Sequence, residues 1–217
     1  MPTEITDVNG EPLAPESLRM LEYLKTRASE ITTAGIRERI RAAAHELEAV
    51  VAQVPESDAR RRPVEGKWHI AEVVDHISQT QIRGTEELRH LLGGRRPPLP
   101  PVYEALRSGA GTWAPWDLLK AELHTANQAM IELLESAPEE APATLTVKTV
   151  MVTLRAHSDG TTTPQIYFVD LPWKEYALLQ RLHLLDHRTQ VKKLRASLAA
   201  ASSPESSPES SMDSQTA

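Results

Sequence analysis

Two histidines near the end of the sequence, His183 and His187, have the spacing of a metal-chelating pair. On an α-helix, four residues correspond to a rotation of about 400° and a rise of about 6 Å, so both imidazoles would leave the same face one turn apart. Such a pair can bind one divalent metal ion from a single helix. Pairs with this spacing also arise by chance, and the two rings could instead bond to backbone or water. The HExxH pattern of zinc peptidases is absent, because Leu184 follows His183.

A metal site built on this pair needs a third ligand, and several histidines are available. His76 follows the apolar positions of a second predicted helix, and His69 lies two turns earlier on nearly the same side. Spacing alone does not choose between them, while His45 and His124 on two other predicted helices are weaker candidates. Three imidazoles would bind Zn²⁺, Ni²⁺, Fe²⁺ or Co²⁺ and leave open positions for water or substrate. Open positions are what a catalytic metal ion requires.

Two polar side chains are placed to support these ligands. Glu72 lies four residues before His76, and Gln190 lies three residues after His187. At these helical spacings either side chain could reach a ligand ring or a metal-bound water from outside the ligand set. Glu72 is also the nearest candidate for a general base. The alternative for both residues is a solvated position on the helix surface.

The histidines belong to a sequence with the periodicity of a helix bundle. Apolar residues recur at steps of three and four along four long segments, and a shorter helical segment follows Pro15. The long segments are 34–54, 68–92, 115–138 and 172–199. Thr33 is predicted to cap the first of them, and residues 95–112 after the second are predicted to be loop. Four long helices with one long crossover predict an all-α four-helix bundle.

Three segments lack the helical periodicity of the bundle: the two chain ends, and the connection between the last two helices. Residues 144–154 and 165–169 are rich in Val, Ile and Thr, which suggests a small β-hairpin in the crossover. Residues 1–13 are predicted to be flexible, and residues 14–199 to form the helical domain. Residues 200–217 repeat Ser, Pro and Glu and are predicted to be a disordered tail.

The composition restricts the functional class. The 217 residues include no Cys, which excludes disulfides, thiolate metal ligands and a cysteine nucleophile supplied by the protein. A net charge of −6 and a pI of about 5.8 argue against nucleic acid as a partner. No apolar run approaches the roughly 20 residues of a membrane span, and the N-terminus lacks the pattern of a signal peptide. We therefore expect a cytoplasmic protein with no membrane partner.

Two motifs resemble the DinB/YfiT-like superfamily. The segment RRPVEGKWHIAEVVDHI, residues 61–77, is similar to that family's Arg-Pro turn, Lys-Trp pair, and helix with Glu and His four residues apart. The segment LPWKEYALLQRLHLLDHRTQ, residues 171–190, resembles the family's last helix, with Trp, two His four apart, and Gln. The resemblance covers roughly residues 34–196. One departure is His69, which follows Trp68 where the family usually has Ser.

This resemblance implies a DinB-like four-helix bundle with a three-histidine metal site. The implied ligands are His76, His183 and His187, so the resemblance favours His76 over His69. The implied cofactor is one divalent metal, Zn, Ni or Fe, together with a low-molecular-weight thiol in some members. The implied function is an enzyme that activates a thiol or water for a small-molecule substrate, first as a thiol S-transferase or isomerase. A metal-dependent hydrolase and a non-enzymatic metal-binding protein of stress response or interaction are the alternatives. Homodimerisation by helix packing stays open.

Overall fold

The computed structural model describes residues 5–98, 100–102, 104–139 and 144–202. Within these ranges the chain forms six α-helices, one 3₁₀ turn and one β-hairpin. In chain order the elements are α1 (Pro15–Glu30), α2 (Thr33–Ala52), α3 (Glu56–Ala59), α4 (Ile70–Leu92), the 3₁₀ turn (Ala110–Thr112), α5 (Trp116–Glu135), β1 (Thr146–Ala156), β2 (Thr162–Pro172) and α6 (Trp173–Ser202).

Helices α2, α4, α5 and α6 form the predicted four-helix bundle. Both α5 and α6 pack against α2 and against α4, so α2 and α4 stand diagonally opposite each other. The bundle is therefore built around α4–α6 and α4–α5 contacts on one side and α2–α6 and α2–α5 contacts on the other. Aliphatic side chains from all four helices are fully buried between them, among them Ile40, Leu47, Ile77, Leu88, Leu123, Met130 and Leu184. The expected fold is confirmed, with a small two-stranded sheet added to the helices.

A reciprocal cap fixes the start of α4. The helix was predicted to begin at Trp68. His69 precedes the helix, and its Nδ1 accepts a hydrogen bond of 3.2 Å from the backbone N–H of Glu72. The Glu72 carboxylate accepts one of 3.1 Å from the backbone N–H of His69. The helix therefore begins at Ile70, two residues after the predicted start at Trp68. A histidine fills the capping place of the usual serine because its ring nitrogen can also accept from the helix.

The cap of α2 lies one residue earlier than predicted. Thr32 has an extended backbone, and its hydroxyl accepts a hydrogen bond of 3.1 Å from the N–H of Gly35. Thr33 is already the first helical residue, so its prediction as the cap was wrong. Two adjacent threonines both fit the preference for this position, and the backbone conformation decides between them.

The crossover between α5 and α6 is the predicted β-hairpin, with longer strands than expected. Strands β1 and β2 pair antiparallel from Thr146 opposite Pro172 to Ala156 opposite Thr162. Alternate β1 side chains, Val147 and Met151, are buried against the rest of the fold. Strand β2 leads into α6 with no residue between them.

The N-terminal segment lies against this hairpin. The backbone N–H of Val8 donates to the carbonyl of Ile166 at 2.9 Å, and that of Ala14 donates to the Gln165 side chain at 2.8 Å. Residues 5–13, predicted to be flexible, thus make specific contacts with the fold. Residues 1–4 and 203–217, including most of the predicted tail, lie outside the described residues.

The long connection before α5 docks on the start of α4 through a glycine. Gly111 lies in the 3₁₀ turn, and a Cβ added there would lie 2.7 Å from the carbonyl oxygen of Ala71 and 2.8 Å from the Cα of Glu72. Both of these atoms belong to the α4 backbone, which cannot move aside as a side chain can. Glycine is therefore needed for the connection to approach α4 so closely.

Substitution Gly111→Ala should lower the free energy of unfolding by about 1–3 kcal/mol, because the added methyl group overlaps the α4 backbone. The control is Gly35→Ala, where the nearest atom is Cγ1 of the Ile31 side chain at 2.9 Å. That side chain can rotate, so the control should stay within about 1 kcal/mol of wild type. Urea unfolding followed by circular dichroism measures both. Equal stability of Gly111→Ala and wild type would contradict the close approach.

Candidate metal centre

Three imidazoles from two neighbouring helices meet inside the bundle. His183 and His187 lie one turn apart on α6, and His76 lies on α4. The Nε2 atom of His183 is 3.1 Å from the Nε2 of His76 and 2.9 Å from the Nε2 of His187. Among the described residues this is the one group of three or more His, Cys, Asp or Glu side chains arranged to hold a metal ion.

The outer nitrogens of two of these rings are fixed by acceptors. The Nδ1 of His76 lies 2.9 Å from the carbonyl oxygen of Leu106, and the Nδ1 of His187 lies 2.7 Å from Oε1 of Gln190. Since a carbonyl oxygen can only accept, both Nδ1 atoms carry the proton. Both Nε2 atoms then present a lone pair towards His183. This is the arrangement in which metal-binding histidines are held by their second nitrogen.

The donor set fits a divalent metal ion. Two nitrogen ligands at about 2.0–2.1 Å from one ion, at angles between octahedral and tetrahedral, lie roughly 2.8–3.4 Å apart. The two Nε2–Nε2 distances of 3.1 and 2.9 Å are within that range. Without a shared cation, His183 can donate one proton to only one neighbour, and the other contact brings two lone pairs together. Imidazole nitrogens suit Zn²⁺, Ni²⁺ and Fe²⁺.

Burial keeps these rings uncharged. The pKa of His183 lies well below its ordinary value, because the ring is removed from water and the two neighbouring imidazoles oppose a further positive charge. Burial, together with His76, lowers the pKa of His187 to about 4. Burial also lowers the pKa of His76. Neutral imidazole is the form that binds a metal, so at neutral pH no histidinium ring has to lose its charge before binding.

Glu72, the candidate general base, is placed elsewhere. Its carboxylate closes the cap with His69 and forms ion pairs with Arg62 at 2.9 Å and with Arg107 at 3.2 Å. Its pKa is lowered: burial opposes the ionised form, but the hydrogen bond from His69 and the charge of Arg62 outweigh it. Glu72 is not among the side chains grouped with His76 or among those that line the adjoining cavity. The contacts therefore describe a structural carboxylate at the start of α4.

The other histidines considered as ligands lie apart from the three. His69 is occupied as the cap of α4. His124 is exposed on α5 and lies 3.0 Å from the Glu48 carboxylate, and His45 is exposed on α2. Of the candidates that spacing left open, the structure brings only His76 to the α6 pair.

Asp75, for which no role was predicted, anchors the connection over His76. Both carboxylate oxygens of Asp75 are used: one accepts from the N–H and the hydroxyl of Ser108, the other from the N–H of Gly109. These bonds hold the carbonyl of Leu106 against the His76 ring. A buried acidic residue directly before a candidate ligand was the available signal. Its partners lie more than thirty residues away, where no local pattern could show them.

A cavity of about 440 Å³ opens beside the imidazoles. It lies between α4, α6, β1 and the connection before α5, and all three histidines line it. Its polar lining includes an internal network, in which Arg83 donates to Glu87 at 2.8 Å and the Tyr176 hydroxyl donates to the other oxygen of the same carboxylate. A larger depression of about 700 Å³ between α1 and β2 is lined by no histidine among the described residues. The chemistry of the site therefore points to the smaller cavity.

The sequence of residues 39–191 matches the DinB superfamily, over more than two thirds of the chain. The chain belongs to the DinB superfamily. The match contains all three converging histidines, the whole of α4 and α6 as far as Val191. Among curated proteins, no sequence matches the chain significantly.

Three solved structures are similar to this chain in fold. The mycothiol-dependent maleylpyruvate isomerase superposes with a TM-score of 0.55 at 13% identity, covering 76% of this chain and 62% of its own. A histidine-to-alanine mutant of the same enzyme gives 0.55 at 12% identity, with the same coverage. YfiT from Bacillus subtilis, a probable metal-dependent hydrolase with an unusual four-helix bundle topology, gives 0.52 at 12% identity, covering 77% of this chain and 87% of its own. The present chain thus spans about three fifths of the isomerase, and at these identities the likeness establishes the fold alone.

None of the described helices combines the length and the apolar character that crossing a membrane requires.

Protein purified without a histidine tag should contain about one equivalent of Zn, Ni or Fe, and His183→Ala should remove it, because His183 lies between the other two ligands. Inductively coupled plasma mass spectrometry measures the content. His124→Ala, which changes an exposed histidine outside the group, is the matched control and should keep the metal. A wild-type protein that stays metal-free after reconstitution would refute the site.

The metal-free protein should lose stability as the pH falls from about 6.5 towards 4. Over this range the unfolded chain takes up protons on its histidines, while the folded His187, with a pKa of about 4, does not. Each such imidazole contributes up to about 1.4 kcal/mol per pH unit. Urea unfolding in EDTA at several pH values tests this, and His187→Gln should flatten the dependence. An unchanged slope in that variant would contradict the assigned cause.

Proposed function

We propose that this protein is a metal-dependent enzyme that activates a low-molecular-weight thiol for reaction with a small-molecule electrophile. The observation that carries the proposal is the convergence of three Nε2 atoms, at 2.9 and 3.1 Å, on the wall of a cavity of about 440 Å³. His76, His183 and His187 would hold the ion. A divalent ion bound there would lower the pKa of a thiol or water ligand towards neutrality.

The protein's own residues orient the ligand rings. The Leu106 carbonyl and the Gln190 side chain hold the outer nitrogens of His76 and His187. The Trp68 ring packs edge-on against His76 with 5.2 Å between ring centroids, and the Arg107 guanidinium lies over Trp68 at 4.9 Å. These contacts keep the Nε2 atoms directed at one point, which removes the need to reorganise the rings when an ion or substrate binds.

A thiol is the preferred nucleophile for two reasons. The chain contains no Cys, so a sulfur nucleophile has to come from a small molecule that enters the cavity. The isomerase with a similar fold is mycothiol-dependent, which supports the same class of co-substrate here. Three imidazoles would occupy only part of the coordination sphere of a divalent ion and would leave room for a further ligand from the cavity that they line.

A metal-dependent hydrolase is the second candidate. It is favoured by the fold likeness to YfiT and by the same open position, which would then be taken by water. The two candidates share the metal site and differ in what approaches it from the cavity. A metal-binding protein without catalysis, acting in a stress response or as an interaction module, is the remaining reading, and the experiment below separates it from both.

Thiol binding is tested on the protein reconstituted with Co²⁺, whose absorption reports its ligands. Addition of a small thiol such as 2-mercaptoethanol should produce an intense near-ultraviolet band from sulfur-to-cobalt charge transfer. The Zn²⁺-loaded protein should also accelerate the reaction of the thiol with 1-chloro-2,4-dinitrobenzene at pH 7 at least tenfold.

The control for both measurements is His183→Ala, which should show neither the band nor the acceleration. A band that stays absent in wild type, combined with metal-dependent cleavage of 4-nitrophenyl acetate, would replace the thiol enzyme by the hydrolase. A bound metal with neither reaction would leave a non-enzymatic metal protein.

A further inference from the structure

One wall of the cavity beside the imidazoles is the edge of a β-strand. Six consecutive residues of β1, from Lys148 to Thr153, line the cavity, whereas no residue of β2 does. Side chains alternate between the two faces of a strand, so a cavity on one face would meet every second residue. An unbroken run indicates that the cavity follows the edge of β1 that β2 does not cover.

The hydrogen-bond pattern of the hairpin shows which backbone groups point to that edge. At the turn, the His157 N–H donates to the Thr161 carbonyl at 2.9 Å, so this pair is bonded across the hairpin. On the far side, the Ile166 carbonyl accepts from Val8 at 2.9 Å and therefore points away from β1. Ile166 lies opposite Val152. Antiparallel pairs alternate between bonded and non-bonded, so both observations assign the outward direction to the even-numbered residues of β1.

The backbone N–H and C=O groups of Lys148, Val150 and Val152 therefore face the cavity. Among the described residues, none is found as their hydrogen-bond partner. Alternate residues of a strand lie about 6.8 Å apart, so these three positions span about 14 Å. A row of unpaired donors and acceptors of this kind is a template for another extended backbone.

We propose that the cavity binds an extended, peptide-like small molecule of two or three residues, which pairs with the open edge of β1. Its backbone amides would pair with the outward N–H and C=O groups of Val150 and with one group of a flanking residue, Lys148 or Val152. Its reactive end would lie at the three imidazoles. The inference rests on the proposed function for that reactive end, and it adds the class of molecule that carries it.

The test uses one pair of probes that differ only in their amide hydrogens. The first is N-acetyl-alanyl-cysteine N-methylamide, and the second is the same molecule with every backbone amide N-methylated. Both keep the thiol, but only the first can donate hydrogen bonds to a strand. On the Co²⁺-loaded wild-type protein, titration should show at least tenfold tighter binding of the first probe. In the diamagnetic Zn²⁺ form, amide exchange measured by NMR should slow at Val150, the central position of the cavity wall, on its addition.

Two proline variants locate the contact. Val150→Pro removes an outward N–H at the centre of the cavity wall, and proline is tolerated where the N–H does not belong to the strand ladder. Leu154→Pro removes an outward N–H of the same strand beyond the residues that line the cavity. Val150→Pro should abolish the preference for the first probe, whereas Leu154→Pro should keep it. If Val150→Pro fails to fold, the exchange measurement on wild type decides alone.

The outcomes separate this inference from the proposed function. A cobalt–sulfur band with equal affinity for both probes and unchanged exchange at β1 would overturn the inference and leave the thiol enzyme intact. Slowed exchange at β1 without the band would support peptide-like binding and contradict thiol activation. Absence of both effects would overturn both.

Discussion

The structure depends on keeping three neutral imidazole rings together inside a bundle. Their Nε2 atoms lie 2.9 and 3.1 Å apart across His183, a separation at which adjacent lone pairs repel unless a cation lies among them. Protonation of a ring is unfavourable, because the charged imidazole would be buried away from water and next to the other imidazoles. A shared cation among the rings would relieve this contact, and the rest of the fold supplies the rigidity that holds the rings in place. The first requirement for that rigidity is that α4 and α6, the two helices that carry the histidines, pack against each other.

The second requirement is the connection that crosses α4 before α5. It contributes a backbone carbonyl to His76, and it is tied down by Asp75 and by the close approach of Gly111 to the α4 backbone. A segment without regular structure can hold a ring in place only if its own backbone groups are satisfied, and Asp75 does this for two successive N–H groups. Glu72 serves the neighbouring turn in a similar way. The buried carboxylates of Glu72 and Asp75 thus both stabilise the backbone around the start of α4.

Much of the fold was predictable, because the periodicity of apolar residues that indicates a helix is visible in a short stretch of sequence. The periodicity of apolar residues gave the four long helices, and the four-residue spacing placed His183 and His187 on one face of α6. The choice of His76 over His69 needed the family resemblance, since both lie on nearly the same side of α4. The cap of α2 at Thr32 rather than Thr33 depended on one backbone conformation. The Leu106 carbonyl, the anchor at Asp75 and the open edge of β1 arise from contacts between distant parts of the chain, which no local pattern contains.

No linker separates β2 from α6, so the hairpin beside the cavity is directly connected to the helix that carries His183 and His187. The hairpin that forms one wall and the helix that carries two of the three imidazoles follow each other directly, since β2 ends at Pro172 and α6 begins at Trp173. A displacement of the hairpin would therefore act directly on the start of α6. Another wall of the cavity, which includes Leu106, has no helix or strand between Arg95 and Gly109 among its described residues. Any displacement of this wall would also withdraw the carbonyl that steadies His76, so the width of the cavity and the orientation of a ligand ring are coupled.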